Sequence, residues 1–227
     1  MKVILEHATK TYKADLSKPL DISIPMFASE KSVRAWYVDP LRIEPVVMGE
    51  WVGAVNSGAA VNFNNIFFNP HAHGTHTECY GHISEESISI NQVLKQFAFT
   101  AKVCTIVPEI IENGDGVIQL DSLKKSLGNE VPKAVIIRTS PNDIEKLIKN
   151  YSNSNPTYLD VKAAVWLREQ GVEQLLIDTP SVDREEDGGA LLAHKAYWNY
   201  PENPRTNACI TEFVFVPNTI KDGLYLL

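Results

Sequence analysis

The pattern of apolar and polar positions predicts a regular alternation of strands and helices in the C-terminal half of the chain. A β-branched apolar run at 133–139 (KAVIIRT) predicts a buried strand. Ser140 and Pro141 follow as a helix cap and a first-turn proline, so we expect a helix that ends near Tyr151.

A second unit of the same kind follows directly. Asp160 can cap a helix over 161–170, and Gly171 is a typical residue just beyond a helix end. The apolar run at 173–178 (EQLLID) then predicts another buried strand. Strands and helices that alternate with such short connections favour a βαβ-type core.

The N-terminal half is less regular but contains further candidate elements. Its apolar and β-branched stretches predict a helix at 89–97 and strands at 20–25, 46–52, 60–68 and 102–107. No internal repeat, low-complexity tract or linker interrupts the sequence. We therefore expect residues 1–227 to form a single mixed-sheet α/β domain.

Composition and charge narrow the function classes. Hydrophobic residues make up 44% of the chain and charged residues 22%, which is typical of a globular protein with a substantial core. The net charge of −7 disfavours nucleic acid and anionic membranes as partners, since both require a basic face. The apolar stretch at 3–5 is too short for a signal-peptide core, so we expect a cytoplasmic protein. With nucleic acid and membranes disfavoured, we expect its partner to be a small-molecule substrate.

The three cysteines do not indicate a disulfide framework or a zinc ribbon. Cys79, Cys104 and Cys209 are odd in number, widely spaced and without a CxxC pair. Free cysteine is among the most buried residue types, so these are predicted to be reduced thiols of the interior.

Four of the six histidines lie between residues 71 and 82, in the stretch PHAHGTHTECYGH. Imidazole and carboxylate are the usual ligands of zinc and related divalent ions. In an extended strand, His76 and Glu78 point to the same face, and Gly81 can let the chain turn so that His82 folds back beside them. Single histidines are usually structural, and histidine-rich tracts can be loose surface chelators, but this density favours a metal site.

The stretch 73–82 resembles the HxGTHxDxPxH signature of the putative cyclase family, which includes bacterial kynurenine formamidase. Other parts of the chain match family segments in the same order, from about residue 21 to residue 216. These parts are 21–25 (DISIP), 137–139 (IRT), 177–183 (IDTPSVD), His194-Lys195 and Thr211-Glu212.

The resemblance implies an α/β domain with a partly barrel-like sheet and flanking helices, assembled as a homodimer or homotetramer. It also implies one or two divalent ions, with zinc expected before manganese. Of the matching positions, His76 is a ligand of the first ion, Glu78 can bridge two ions, and His194 and Glu212 are ligands of the second. The resemblance makes His82 a proton shuttle, and Trp36 is the counterpart of an aromatic residue that lines the substrate pocket.

The chain departs from the family signature at several positions. The family aspartate is Glu78 here, the family proline is Tyr80, and the first signature histidine aligns with Ala72. His71 and His73 flank that alanine, and a bulge at the following glycine could turn either one inward. We expect His73, ahead of His71, to replace the missing ligand, with a single-metal site as the alternative.

A longer gap than usual separates His194 from Glu212. It suggests an inserted loop at 197–207 that could reshape the substrate pocket.

These observations support three hypotheses of function. The first is a metal-dependent hydrolase of an amide or formamide C–N bond, with aryl formamides such as N-formylkynurenine as the expected substrates. The second is a metal enzyme of the same scaffold that acts on another cyclic amide or a lactone, or that catalyses dehydration or cyclisation. The third, motivated by Ala72, is a metal-binding protein without catalytic activity.

Overall fold

The computed structural model describes residues 1–7 and 10–227. Its strands are β1 (Lys2–His7), β2 (Lys10–Asp15), β3 (Arg42–Pro45), β4 (Val47–Met48), β5 (Trp51–Val52), β6 (Asn64–Phe67), β7 (His76–Cys79), β8 (Thr100–Ile106), β9 (Glu109–Ile110), β10 (Gly116–Ile118), β11 (Ala134–Thr139), β12 (Tyr158–Leu159), β13 (Gln174–Ile177), β14 (Cys209–Glu212) and β15 (Gly223–Leu226). Its helices are α1 (Pro70–His73), α2 (Ile90–Val93), α3 (Leu120–Leu127), α4 (Val161–Glu169) and α5 (Leu192–Trp198), with 3-10 turns at Val55–Ser57, Tyr80–His82 and Ile144–Leu147.

The central element is a six-stranded mixed sheet in the order β15-β8-β11-β13-β14-β7. The four inner strands run parallel to one another, while β15 and β7 pair antiparallel at the two ends. This sheet confirms the predicted mixed α/β fold. It also confirms the strands predicted at 102–107, 133–139 and 173–178, whose nearly continuous apolar character suits strands that are covered on both faces.

The predicted crossover between two of these strands is also present. The carboxylate of Asp160 accepts a hydrogen bond from the Lys162 amide at the start of α4, and Gly171 has a φ of 74° just past its end. The helix α4 thus connects β11 to its parallel neighbour β13.

The core has one apolar layer on each face of the sheet. Along β11, Val135 and Ile137 pack into a cluster that includes residues of α3, α4 and α5. Ala134 and Ile136 pack into a second cluster with residues of the C-terminal segment. Alternate residues of a strand point to opposite faces, so one strand supplies both layers.

The helix expected from Ser140 to Tyr151 is wrong, because only the 3-10 turn at Ile144–Leu147 forms there. The side chains of this segment bond to distant backbone and side chains instead of supporting a helix. Asn142 donates to the carbonyl of Val216, and the Lys146 ammonium donates to Asp178 at 2.8 Å. These tertiary contacts override the local helix signals.

The strand expected at 20–25 is also wrong. Asp21 accepts hydrogen bonds from both the amide and the hydroxyl of Ser23, which fixes a local turn. The helix expected at 89–97 is limited to α2, because Leu94 is already extended at ψ 99°.

Two further predicted strands are shorter than expected. The stretch 46–52 is the hairpin β4–β5, which turns at Gly49 with a φ of 60°. The stretch 60–68 contributes only β6, which pairs with β3.

Residues 42–68 form a segment that we call the apolar arm. It carries ten large apolar side chains that are exposed: Ile43, Val47, Met48, Trp51, Val55, Val61, Phe63, Ile66, Phe67 and Phe68. Among the residues that the structure describes, no helix is long and apolar enough to span a bilayer.

Candidate metal centre

The strands β7 and β14 place three of the expected ligands together. In the antiparallel register of this pair, His76 lies opposite Glu212. His76 and Glu78 lie two residues apart in β7, so their side chains point to the same face, as their spacing predicts. The Nε2 atom of His76 lies 3.5 Å from Oε2 of Glu212.

His71 reaches the same place from a short helix that precedes the strand. Asn69 caps α1 by accepting a hydrogen bond from the His71 amide, and Pro70 occupies its first turn. The Trp36 indole donates to the carbonyl of His71 at 3.0 Å, and the Ala35 amide donates to the carbonyl of the next residue, Ala72. These bonds hold α1 so that Nδ1 of His71 lies 3.2 Å from Oε2 of Glu78.

The structure does not bring His73 to the cluster, contrary to the expectation that it would replace the missing ligand ahead of His71. Its Nδ1 accepts from the Asn69 amide, and its Nε2 lies 2.8 Å from the Asp39 carbonyl. Both ring nitrogens are therefore used in holding α1. The expectation rested on an extended chain, whereas a helical turn sends His71 and His73 to different sides.

His82 approaches Glu78 from the other end of β7. It belongs to the 3-10 turn Tyr80–His82, and its Nε2 lies 3.5 Å from Oε2 of Glu78. The turn depends on Gly81, because a Cβ there would come within 2.1 Å of the Ile88 carbonyl oxygen. The side chain of His82 is 34% exposed, so it is open to solvent on one side.

His194 completes the cluster from α5. Its Nε2 lies 2.8 Å from Oε1 of Glu78, and its Nδ1 lies 2.6 Å from Oδ2 of Asp183. The Trp198 ring, one helical turn further on, packs against the His194 ring at a centroid distance of 5.2 Å. Asp183 was not predicted as a site residue, although it ends the IDTPSVD segment, whose match to the family was the available signal.

Three buried polar atoms at this place have no hydrogen-bond partner among the described residues. They are Nδ1 of His71, Nε2 of His76 and Oε2 of Glu78. Ligand atoms of these three residues also lie within 4.8 Å of one another. A buried polar atom without a partner is costly, and two imidazole nitrogens with one carboxylate oxygen form a typical donor set for a divalent ion. These residues therefore fit a metal ion.

A second group of possible ligand atoms shares Glu78 with the first and adds His82 and His194. In this group Glu78 and His194 contact each other at 2.8 Å, which is closer than the 3.2 Å between Glu78 and His71 in the first group. Glu212 lies between the groups, and its Oε1 accepts a hydrogen bond from the Val182 amide at 2.8 Å.

Mutual contacts set the ionisation of these groups. Burial alone would raise the pKa of Glu78, but the hydrogen bond to His194 and the proximity of His71 hold it well below its usual range. Burial and the charge of Glu78 raise the pKa of Glu212. Burial opposes the charged form of His194, yet hydrogen bonds to Asp183 and Glu78 raise its pKa to about 10.

The pKa values of His76 and His82 are shifted in opposite directions. Burial would lower the pKa of His76, but the adjacent Glu212 outweighs it and raises the pKa. For His82, burial is the larger effect and lowers the pKa, although Glu78 opposes it. The lowered pKa favours the neutral imidazole of His82 at neutral pH.

The stretch 197–207, expected as an inserted loop, is partly core. Tyr197 and Trp198 are fully buried at the end of α5, and the Trp198 indole donates to the Ala208 carbonyl. Trp198 thus supports His194 by packing against its ring.

Comparison with known proteins assigns the chain to a family. The family model described as Putative cyclase matches residues 14–184. The chain belongs to this family. The match confirms the resemblance, and no curated protein matches the sequence.

Several solved structures share the cyclase-family fold. One is a potential metal-dependent hydrolase with cyclase activity, at 14% identity and TM-score 0.58, with 91% of this chain and 85% of that chain covered. Another is an isatin hydrolase bound to the product analogue thioisatinate, at 11% identity and TM-score 0.59, with 90% and 82% covered. A third is a predicted metal-dependent hydrolase from Bacillus stearothermophilus, at 14% identity and TM-score 0.56, with 91% and 86% covered. The domain therefore has the fold of the cyclase-family metal-dependent hydrolases.

Proposed function

We propose that this protein is a metal-dependent hydrolase of the amide C–N bond in small aryl formamides or related aryl lactams. The observation that carries the proposal is the convergence of three partnerless buried atoms, on His71, His76 and Glu78. The cyclase-family membership supports it, as does the structural likeness to an isatin hydrolase.

His71, His76 and Glu78 would hold the ion, for which zinc is the first candidate and manganese the second. Such an ion supplies a Lewis acid that polarises a carbonyl and acidifies water. The Nδ1 atom of His76 lies 3.0 Å from the Gly74 carbonyl, an arrangement that directs its Nε2 into the cluster.

His82 is the residue suited to move the proton. Its neutral imidazole can accept a proton from the attacking water and return it to the leaving amine, since it lies beside Glu78 and faces solvent. Trp36 is the candidate for contact with an aromatic substrate. Its indole donates to the backbone of α1, the helix that carries His71, which supports a place for its ring beside the substrate.

The test is hydrolysis of N-formylkynurenine and of isatin by protein of known metal content. We expect turnover of at least one of them that a chelator abolishes and that zinc or manganese restores. His82→Gln should lower kcat by about 10²-fold or more while the bound metal is retained. Turnover of neither substrate by fully loaded protein would overturn the proposed substrate class, and chelator-resistant turnover would overturn the role of the metal.

A second copy of this chain is the partner that we propose for the apolar arm. The accessible surface of the chain is 12722 Å². A compact monomer of this mass exposes only about 10,300 Å², so roughly a fifth of the surface is in excess. Membrane binding is disfavoured because the arm has only one basic residue, Arg42, at its start.

The assembly is tested by light scattering after size exclusion. We expect the wild type to run as a dimer or tetramer, and Ile66→Asp in the arm to shift it towards the monomer. Ile144→Asp is the matched control, because Ile144 is also exposed but lies outside the arm. A wild type that is monomeric at micromolar concentration would contradict this assembly.

We also propose that the protein is located in the cytoplasm. All three cysteines are buried and unbridged, which suits a reducing compartment such as the cytoplasm.

A further inference from the structure

The resemblance to the family implies that His194 is a ligand of a second metal ion, yet both of its ring nitrogens contact carboxylates. Asp183 lies 2.6 Å from Nδ1, and Glu78 lies 2.8 Å from Nε2. A histidine that ligates an ion commonly donates its other ring nitrogen to a carboxylate, as Nδ1 of His194 can to Asp183, so His194 would have to bind a second ion through Nε2, the nitrogen that contacts Glu78. In this chain neither nitrogen of His194 is free, whereas Nε2 of His76 and Nδ1 of His71 are.

Glu212, the other expected ligand of a second ion, has one oxygen in a hydrogen bond and the other close to a ligand of the first ion. Its Oε1 accepts from the Val182 amide at 2.8 Å, and its Oε2 lies 3.5 Å from Nε2 of His76. The groups expected around a second ion therefore lie against the ligands of the first.

We propose that Asp183 and His194 form a positioning pair that holds Glu78 for a single ion, and that the centre does not take a second one. The proposal rests on the proposed function, in which His71, His76 and Glu78 bind that ion. His194 contacts Oε1 of Glu78 and so leaves Oε2, the partnerless atom, directed towards His71.

Asp183 is suited to this role because it contacts His194 at two points and the preceding residue, Ala193, at a third. Its two oxygens accept from the Ala193 amide at 2.6 Å and the His194 amide at 3.1 Å, besides contacting the His194 ring. The start of α5 has no side-chain cap at Leu191, so Asp183 also satisfies the first amides of that helix. Packing of Trp198 against the ring further restricts the orientation of His194.

The pair acts on the metal ion only through Glu78, so its loss should weaken binding without changing the number of ions. Removal of an outer carboxylate that orients a metal site typically costs 10–100-fold in metal affinity. Asp183→Asn keeps an oxygen for the α5 amides but loses the second acceptor. His194→Gln keeps one donor for Glu78 and loses the link to Asp183.

The experiment is competitive zinc titration of metal-free full-length protein against a chromophoric chelator, which yields stoichiometry and affinity without substrate. We expect one equivalent for the wild type, and one equivalent bound about 10–100-fold more weakly for both variants. Asp187→Asn is the control: Asp187 accepts from the Gly189 and Leu191 amides in the same loop, and the variant should keep wild-type affinity.

The possible results separate the two proposals. Two equivalents in the wild type, with one lost in His194→Gln, would make His194 a ligand and overturn this inference alone. One equivalent with unchanged affinity in Asp183→Asn would also overturn it and leave the proposed function standing. Absence of zinc and manganese binding by the wild type would instead overturn the proposed function.

Discussion

The imidazole rings of His71 and His82 stack on each other, with centroids 4.2 Å apart and planes 23° apart. One ring comes from α1, before β7, and the other from the 3-10 turn after it. The chain thus folds back at both ends of a four-residue strand, and both rings approach Oε2 of Glu78. This relationship shows how two histidines from opposite ends of β7 reach the same carboxylate oxygen.

The first prediction contrasts two histidines of the same short helix. His71→Ala should weaken zinc binding by about 10²-fold or more, because it removes one of three ligands. His73→Gln should leave the zinc affinity within about threefold while lowering the melting temperature, because His73 bonds to Asn69 and Asp39 rather than to the cluster. Zinc titration and thermal unfolding of both variants check this, and equal losses of affinity would contradict it.

Gly81 is expected to tolerate no side chain. In Gly81→Ala the new methyl would lie 2.1 Å from the Ile88 carbonyl oxygen, and backbone must move to relieve the clash. Overpacking of this kind costs about 1–3 kcal/mol, which corresponds to a melting temperature several degrees lower.

Gly58→Ala is the control for this experiment. Gly58 has a φ of 91° with open space around its Cβ position, so substitution costs about 1 kcal/mol of backbone strain without a clash. An unchanged melting temperature in Gly81→Ala would show that the turn carrying His82 is looser than its contacts indicate.

A buried carboxylate remote from the cluster predicts a pH dependence of stability. Hydrogen bonds from Arg184 and Asn155 hold the pKa of Asp115 well below its usual range. Because the pKa is lower in the folded state, this carboxylate stabilises the fold at neutral pH. That contribution declines as the pH falls below about 4, the pKa of an unfolded aspartate, and is gone below the folded pKa.

Asp115→Asn should therefore unfold at lower urea concentration than the wild type at pH 7, and the difference should shrink towards pH 3. Urea midpoints at both pH values check this, with the exposed Glu130→Gln as a control that should change little. A difference that stays constant with pH would show that the ionised carboxylate is not the stabilising species.

The cysteines are predicted to be unreactive in the native state. Burial raises the pKa of the Cys104 thiol to about 12 and that of Cys209 to about 11. Cys79 is buried as well. A thiol reagent at pH 8 should modify the folded protein slowly and all three cysteines once it is unfolded, because the thiolate is the reactive form. Rapid modification without denaturant would contradict the buried positions.

The sequence predicts the centre of the fold well and its margins poorly. The strands β8, β11 and β13 are apolar runs buried on both faces, and α4 has a cap and a terminal glycine, so local pattern and tertiary position agree. Pro141 suggested a helix, but side chains of the following segment bond to Thr139, Asp178 and Val216. Such contacts are not visible in local propensity.

The same contrast applies to the candidate site. His76 and Glu78 share a face because side chains two residues apart in a strand always point to the same side. The choice between His71 and His73 depended on whether residues 70–73 are extended or helical. Asn69 and Pro70 are a cap-and-proline signal like Ser140 and Pro141, and here the signal agrees with the helical turn that the structure shows. The role of Asp183 required knowing where α5 begins.

The most direct test of the central claim is a crystal structure of the zinc-soaked protein with anomalous data collected on both sides of the zinc absorption edge. The account predicts one anomalous peak per chain, at bonding distance of about 2.0–2.2 Å from Nδ1 of His71, Nε2 of His76 and Oε2 of Glu78. A fully zinc-loaded crystal whose peak lies elsewhere, with these three atoms left without a ligand, would contradict it.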